Sequence, residues 1–308
     1  NVRSRVHEYG GVPYCVHSHT LWFCNLADQA IYRQELSNDR SPLLGTLVEA
    51  KPLTPVEPSL AGKLRYADFL IDPYFNRLIC VREDHHLSDP NNFDAHSVIN
   101  ALVSIDLDTG GEGEILYAGS DFVSSPRLSP DGKTLVWQTW SHPNMPWDNT
   151  EIRLANFDAE GKLTNIRQIH QPLDGSLVQP QFDKMGQLYF IADWSGWWNL
   201  YRISADELEA TCKAERIHSM EADFASPQWL LGHRNYCVLD DGSILVSFTQ
   251  DSQWQLGLLR CTSHETWEMQ SIADGYGQIE NICSNAETLF FSAATPTQEN
   301  AIHRLLLD

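Results

Sequence analysis

Apolar residues in this chain come in short runs, each stopped by a turn and followed by another run. The clearest case is Ser124-Ser-Pro-Arg-Leu-Ser-Pro-Asp-Gly-Lys-Thr-Leu-Val-Trp-Gln-Thr-Trp140, where Pro-Asp-Gly separates two runs, the second rich in β-branched and aromatic residues. Turn chemistry of this kind between such runs predicts a β-hairpin. The arrangement recurs at Val178-Gln-Pro-Gln-Phe-Asp-Lys-Met-Gly-Gln-Leu-Tyr-Phe-Ile191. It recurs more loosely from Ser226-Pro-Gln-Trp229 through Asp241-Gly-Ser-Ile-Leu-Val246.

Six units follow one another, each an apolar run, a turn, a second run, a variable loop and a third run. The second runs are Leu21–Cys24, Leu78–Val81, Leu135–Trp137, Leu188–Ile191, Ile244–Val246 and Leu289–Phe291. The third runs are Ile31–Arg33, Leu102–Ile105, Ile152–Leu154, Leu200–Ile203, Leu256–Arg260 and Ile302–Leu305. Second runs repeat at roughly 45 to 57 residues, near the period of β-propeller blades. A four-stranded antiparallel blade cannot bury both faces alone, so blades must stack around an axis. The fold class expected is therefore all-β: one propeller domain over residues 1–308, of about six to seven four-stranded blades. The chain stops after a third strand and starts without the strands that should precede Asn1–Arg5. Both end blades are thus expected to be incomplete, and the chain to be one part of a longer protein. One short helix is expected after Ser204, with that residue as its N-cap.

Composition narrows the partners. A net charge of −20 repels phosphate backbones and anionic lipid, so nucleic acid and membrane surfaces are not expected partners. It keeps a large surface soluble, and it favours cationic partners such as a peptide amino terminus. The seven cysteines lack CxxC spacing, and most lie inside apolar runs. They read as buried, reduced thiols of a cytoplasmic protein.

Strand order sorts the loops. The turns joining first to second strands are short and plain, as at Pro130-Asp-Gly132, Lys184-Met-Gly186 and Asp240-Asp-Gly242. The loops joining second to third strands fall on the opposite face and are chemically rich. They include Glu83–Asp89, Ser141-His-Pro-Asn-Met-Pro-Trp-Asp148, Asp193-Trp-Ser-Gly-Trp-Trp198 and Thr249–Trp254. Arg3-Ser-Arg-Val-His-Glu-Tyr-Gly-Gly11 precedes the first strand and falls on that same face. One face is therefore decorated with Trp, His, Asp and Arg, the sequence argument for a functional face. Each Trp there can pack between blades or meet a ligand, and the residues alone leave both readings open. Arg3, Arg5, His7 and Glu8 can form inter-blade ion pairs or face a peptide or partner domain, while Tyr9 reads as packing.

No nucleophile elbow, phosphate loop or dinucleotide fingerprint is present, so no catalytic residue and no cofactor is assigned. Asp84, His85, His86, Asp89, Asp94 and His96 match no familiar ligand spacing. They read as a solvated loop, with no metal expected.

Four segments together resemble a known family: Arg3–Gly11, Ser129-Pro-Asp-Gly-Lys133, His142–Asp148 and Ser195-Gly-Trp-Trp-Asn-Leu-Tyr-Arg202. The chain is similar to the N-terminal β-propeller of bacterial prolyl oligopeptidase family serine peptidases, of the dipeptidyl aminopeptidase and acylaminoacyl peptidase type. The resemblance implies a C-terminal α/β-hydrolase domain carrying the catalytic triad, which this chain lacks. The propeller would gate that domain and help select short peptides for it. Loop placement and resemblance together nominate Arg5, Glu8, His142, Asn144, Trp147, Trp194 and Trp197 as substrate or domain contacts. The rival reading is a stand-alone propeller that binds protein or carbohydrate, with aromatic loops suited to stacking on sugars.

Overall fold

A computed structural model describes residues 1–36, 49–86, 98–262, 266–285 and 288–306. Its sheets are antiparallel meanders arranged as successive blades, six among the described residues. Blade 1 holds β1 (Tyr14–His17), β2 (Thr20–Cys24), β3 (Ile31–Glu35) and β4 (Lys51–Pro52). Blade 2 holds β5 (Leu64–Asp72), β6 (Arg77–Asp84), β7 (Ile99–Asp106) and β8 (Gly110–Tyr117). Blade 3 holds β9 (Phe122–Leu128), β10 (Thr134–Trp140), β11 (Glu151–Phe157) and β12 (Leu163–Gln168). Blade 4 holds β13 (Leu177–Phe182), β14 (Leu188–Ala192), β15 (Asn199–Ile203) and β16 (Glu215–Arg216). Blade 5 holds β17 (Tyr236–Val238), β18 (Ile244–Gln250), β19 (Gln253–Cys261) and β20 (Trp267–Tyr276). Blade 6 holds β21 (Gln278–Asn285), β22 (Thr288–Thr295) and β23 (Gln298–Leu306).

In blades 2, 3 and 4 the second strand is almost wholly buried, covered on both faces by neighbouring blades. In β6 every residue from Arg77 to Glu83 is buried. Hydrophobic cores therefore lie between blades rather than within one. Trp22 and Ile31 of blade 1 pack with Leu78 and Val103 of blade 2. Val81 and Leu102 pack with Leu135 and Trp137, which is fully buried. The pattern continues through Val136 with Phe190, Ile191 with Val246, and Leu245 with Ile279. Burying an aliphatic or Phe side chain contributes on the order of 1.5–3 kcal/mol, so each shared core binds its two blades together.

Inner strands carry a feature that no apolar pattern foretells. Blades 2, 3, 4 and 6 each break inner-strand register at one place, with a left-handed residue beside it: Asp68, Ser125, Gln179 or Asn281. At three of these bulges, backbone or polar side chains bond to neighbouring segments. Asp68 N–H donates to Val12 O (3.1 Å), Ser125 N–H to Asp68 Oδ2 (2.6 Å) and Asn235 N–H to Gln179 Oε1 (2.8 Å).

Two expectations need correction. The first blade is a complete four-stranded sheet, and no seventh blade occurs among the described residues. Its outer strand escapes sequence reading because β4 is two exposed residues, Lys51 and Pro52, paired with Arg33 and Tyr32. So short an edge carries no alternation. The last blade does have three strands, as expected. The helix also falls as expected: α1 (Ala205–Glu209) starts at Ser204, whose hydroxyl accepts the Glu207 N–H at 3.3 Å. All seven thiols are free, but only Cys24, Cys80 and Cys212 are buried, whereas Cys261 and Cys283 are exposed. Among the described residues no helix is long and apolar enough to cross a membrane.

Candidate functional site

The site begins with a strained turn. Glu8 N–H donates to Arg5 O (2.9 Å) and Gly10 N–H to Val6 O (2.9 Å), curling residues 5–10 tightly. Neither His7 (φ 52°) nor Glu8 (φ 63°) is glycine, yet both are left-handed, an arrangement that costs energy and persists only where the surroundings enforce it. The enforcement comes from the segment preceding blade 5. Leu231 N–H donates to Gly10 O at 2.9 Å, and a Cβ on Gly11 would collide with the Leu231 backbone. The turn is thereby pinned across the face between blade 1 and blade 5.

Pinned this way, His7 points inward. Its ring meets Phe122 edge-on at 5.3 Å and Trp140 at 5.4 Å, while Nε2 donates to Asn100 Oδ1 at 3.2 Å. Burial holds its pKa below the ordinary 6.5, outweighing the pull of Glu83 and the Asn100 hydrogen bond. The imidazole is therefore neutral at pH 7.

Glu83 closes the floor. It accepts the His7 backbone N–H at 2.7 Å and pairs with His85 Nε2 at 3.0 Å. Burial pushes its pKa up, but the His85 hydrogen bond and the imidazole and backbone of His7 hold it below the ordinary 4.5. Arg65 bridges outward, 3.6 Å from Glu83 and 2.6 Å from the exposed Glu8. At the opposite edge Asp121 accepts the His142 backbone N–H at 2.9 Å.

The remaining wall is aromatic. Trp147 lies 4.5 Å from Trp229 between ring centroids, and Tyr9 lies 5.7 Å from Trp229, edge-on. Trp229 is 53 % exposed and Tyr9 56 %, so these rings are presented to solvent rather than spent on a core. Together with Met145, Leu230 and Leu231 they enclose a cavity of about 270 Å³. Aromatic walls beside an acidic rim suit an apolar group adjoining a cationic one.

The candidates separate. Glu8, His142 and Trp147 line this cavity; Arg5, Asn144, Trp194 and Trp197 are not among its walls. Arg5 engages the structure through its backbone, its N–H donating to Gln29 Oε1 at 2.7 Å. Asn144 N–H donates to Ser141 O at 3.1 Å, within the same loop as Trp147. Trp194 packs on Phe190 and Tyr201 over the core between blades 3 and 4, and Trp197 is 40 % exposed in the blade 4 loop. Reading from sequence overlooked Phe122, Trp140, Asn100 and Trp229 as wall residues. The sequence repeat puts Trp229 in an inner strand, but β17 begins only at Tyr236. Leu230, Leu231 and the left-handed Gly232 carry the chain across the mouth first. In the acidic loop His85 pairs with Glu83 and His86 with Asp84 (2.7 Å). Asp89, Asp94 and His96 lie outside the described residues.

Comparisons with known proteins fit this architecture. No family model and no curated protein matches the chain. Among solved structures, a puromycin-hydrolyzing peptidase of Mycobacterium tuberculosis matches with 29 % identity and TM-score 0.83, over 99 % of this chain. A puromycin hydrolase complexed with PGG matches with 29 % identity and TM-score 0.84 over the same share. The chain spans 45 % of the length of each of these two, so both are more than twice as long. An oligogalacturonate lyase in complex with manganese, 13 % identical with TM-score 0.65 and covered over 76 % of its length, shares the fold alone.

Proposed function

We propose that this chain is the propeller portion of a larger serine peptidase of the prolyl oligopeptidase type. A separate α/β-hydrolase domain of the same protein would supply the catalytic groups. The observation that carries this reading is the likeness to puromycin-hydrolyzing peptidases along 99 % of the chain but only 45 % of theirs. In the proposed arrangement the mouth face meets the hydrolase domain and restricts entry to short peptides. Trp147 and Trp229 stack on an apolar side chain, and the acidic rim at Glu8 faces the peptide's amino group. Exposed rings can do this because desolvating a paired aromatic contact returns about 0.5–1.5 kcal/mol beyond burial.

The test is hydrolysis of aminoacyl, acylaminoacyl and dipeptidyl chromogenic substrates by this chain and by the full product of its gene. Hydrolysis is expected only with the full product, and a serine-directed inhibitor should abolish it. In that product Trp147→Ala is expected to lower kcat/KM by about 3- to 10-fold, the kinetic equivalent of one lost stacking contact. Unchanged kinetics in Trp147→Ala and Glu8→Ala would remove the mouth from substrate selection. An inactive full product would leave a propeller that binds without a peptidase.

A further inference from the structure

One polar group of the mouth stands outside the hydrogen bonding that fixes its neighbours. Buried polar side chains bordering the cavity include Asn100 and Glu83, and both are engaged within the protein. Asn100 Oδ1 accepts from His7 Nε2, while Glu83 accepts the His7 backbone N–H and pairs with His85. Gln228 borders the same cavity and is buried to a similar degree, 7 % exposed. Its side-chain oxygen, Oε1, has no hydrogen-bond partner among the described residues. A buried acceptor left unpaired costs more than a typical hydrogen bond returns, so a native protein rarely keeps one that nothing completes.

The backbone holds Gln228 in place. Trp229 N–H donates to Pro227 O at 2.9 Å, and Leu231 N–H donates to Gly10 O at 2.9 Å, tying the segment down on both sides. Within it Gln228 and Leu231 are turned in, whereas Trp229 and Leu230 are turned out. The anionic groups around the cavity are Glu8, Glu83 and Asp121, and no Lys or Arg among the described residues lines it. Ionised carboxylates only accept hydrogen bonds, so these walls offer acceptors and call for a donor. The apolar part of the wall is aromatic, with Phe122 stacked on Trp140 at 5.2 Å and Trp147 lying 4.5 Å from Trp229.

We propose that Gln228 is a specificity-determining residue of the mouth, its Oε1 accepting a hydrogen bond from an N–H of the bound ligand. The ligand is an aromatic amine or amide whose ring packs on the aromatic walls, because ring pairs gain beyond the area they bury. A carboxylate in the same place would meet three anionic side chains and no cation. The ammonium of an amino terminus and the N–H of a peptide bond both supply the donor. The inference rests on the reading of the mouth as the substrate-selecting face, but its test needs only this chain.

The experiment is calorimetric titration of the 308-residue chain and its Gln228→Met variant at fixed ionic strength. Met is close to Gln in length and lacks a strong acceptor. The probes are 2-phenylethylamine, its N-acetyl and N,N,N-trimethyl derivatives, and 3-phenylpropanoate. Saturable binding of the amine, of the N-acetyl derivative, or of both is expected. The variant should weaken it by about 3- to 10-fold, the equivalent of one lost hydrogen bond. Tighter binding of the amine identifies an amino terminus as the donor, and tighter binding of the N-acetyl derivative identifies a peptide N–H. The trimethyl derivative keeps ring and charge without an N–H, so wild type and variant should bind it alike. Since Oε1 is unpaired in the free chain, the variant's urea midpoint should match or exceed that of wild type. The proposal is overturned by a lowered midpoint, by equal amine and N-acetyl affinities in wild type and variant, or by 3-phenylpropanoate binding as tightly as either. Absence of saturable binding by both N–H probes overturns it as well. Gln228-dependent binding here, with peptide kinetics of the full product unmoved by Trp147→Ala and Glu8→Ala, would sink the peptidase reading alone.

Discussion

His7 and Glu83 are 76 residues apart in sequence and share one hydrogen bond, from a backbone N–H to a carboxylate. The consequence is a mouth sensitive to acid. With a folded pKa below 6.5, the His7 imidazole accepts a proton more readily in the unfolded chain, so its contribution to stability is complete above pH 6.5 and falls away below it. The desolvated His233 acts with the same sign in the same window. Glu83, held below 4.5, contributes stability above that pH and loses it as pH falls through its folded pKa. Urea midpoints should therefore decline from pH 7 toward pH 5 and decline again below about pH 4.5. Glu83→Gln should cost about 1–3 kcal/mol at pH 7 and shrink the lower limb, since a hydrogen-bonded buried charge is lost. A variant whose pH profile superimposes on wild type would refute this account of the floor. None of this pairing is legible in sequence. The residues meet only because His7 and Glu8 adopt left-handed conformations pinned by Leu231, a long-range constraint without a local signature.

Strands were the most readable level. Every second and third run marked by apolar spacing lies within a strand, from β2 and β3 to β22 and β23. Of the loops assigned to one face, those holding Glu83, His142 and Trp147 share a cavity with Glu8. What sequence could not show are polar inner-strand bulges and edge strands as short as β4, since neither alters the apolar pattern. The bulges carry their own prediction. Gln179 gives the Asn235 backbone its acceptor (2.8 Å) and donates to its side chain (2.7 Å), joining blade 4 to blade 5. Gln179→Ala leaves a buried N–H unsatisfied and should cost about 1–3 kcal/mol. A urea melt should show a lower midpoint at unchanged slope. An unmoved midpoint would mean that the inter-blade hydrogen bonds contribute nothing to stability.

At the scale of the whole molecule, the two faces of the ring are built for different work. One carries short turns that pack against each other, as where Tyr74 Oη donates to Pro130 O at 2.8 Å beside the left-handed Gly132. The other carries the pinned turn, the acidic floor and the solvent-facing rings of Tyr9 and Trp229. Exposed apolar patches rimmed by charge mark interaction surfaces. Resemblance supplied the peptidase reading, and the cavity supplies the face on which it would operate. The central claim is that this mouth face opposes a second domain of the same protein. Hydrogen exchange compared between this chain and the full product of its gene tests it most directly. The account predicts slower exchange in the full product at residues 5–11, 141–148 and 227–231, with the turns at Gly132, Gly186 and Gly242 unchanged. Slowing confined to those turns, or no difference on either face, would contradict it.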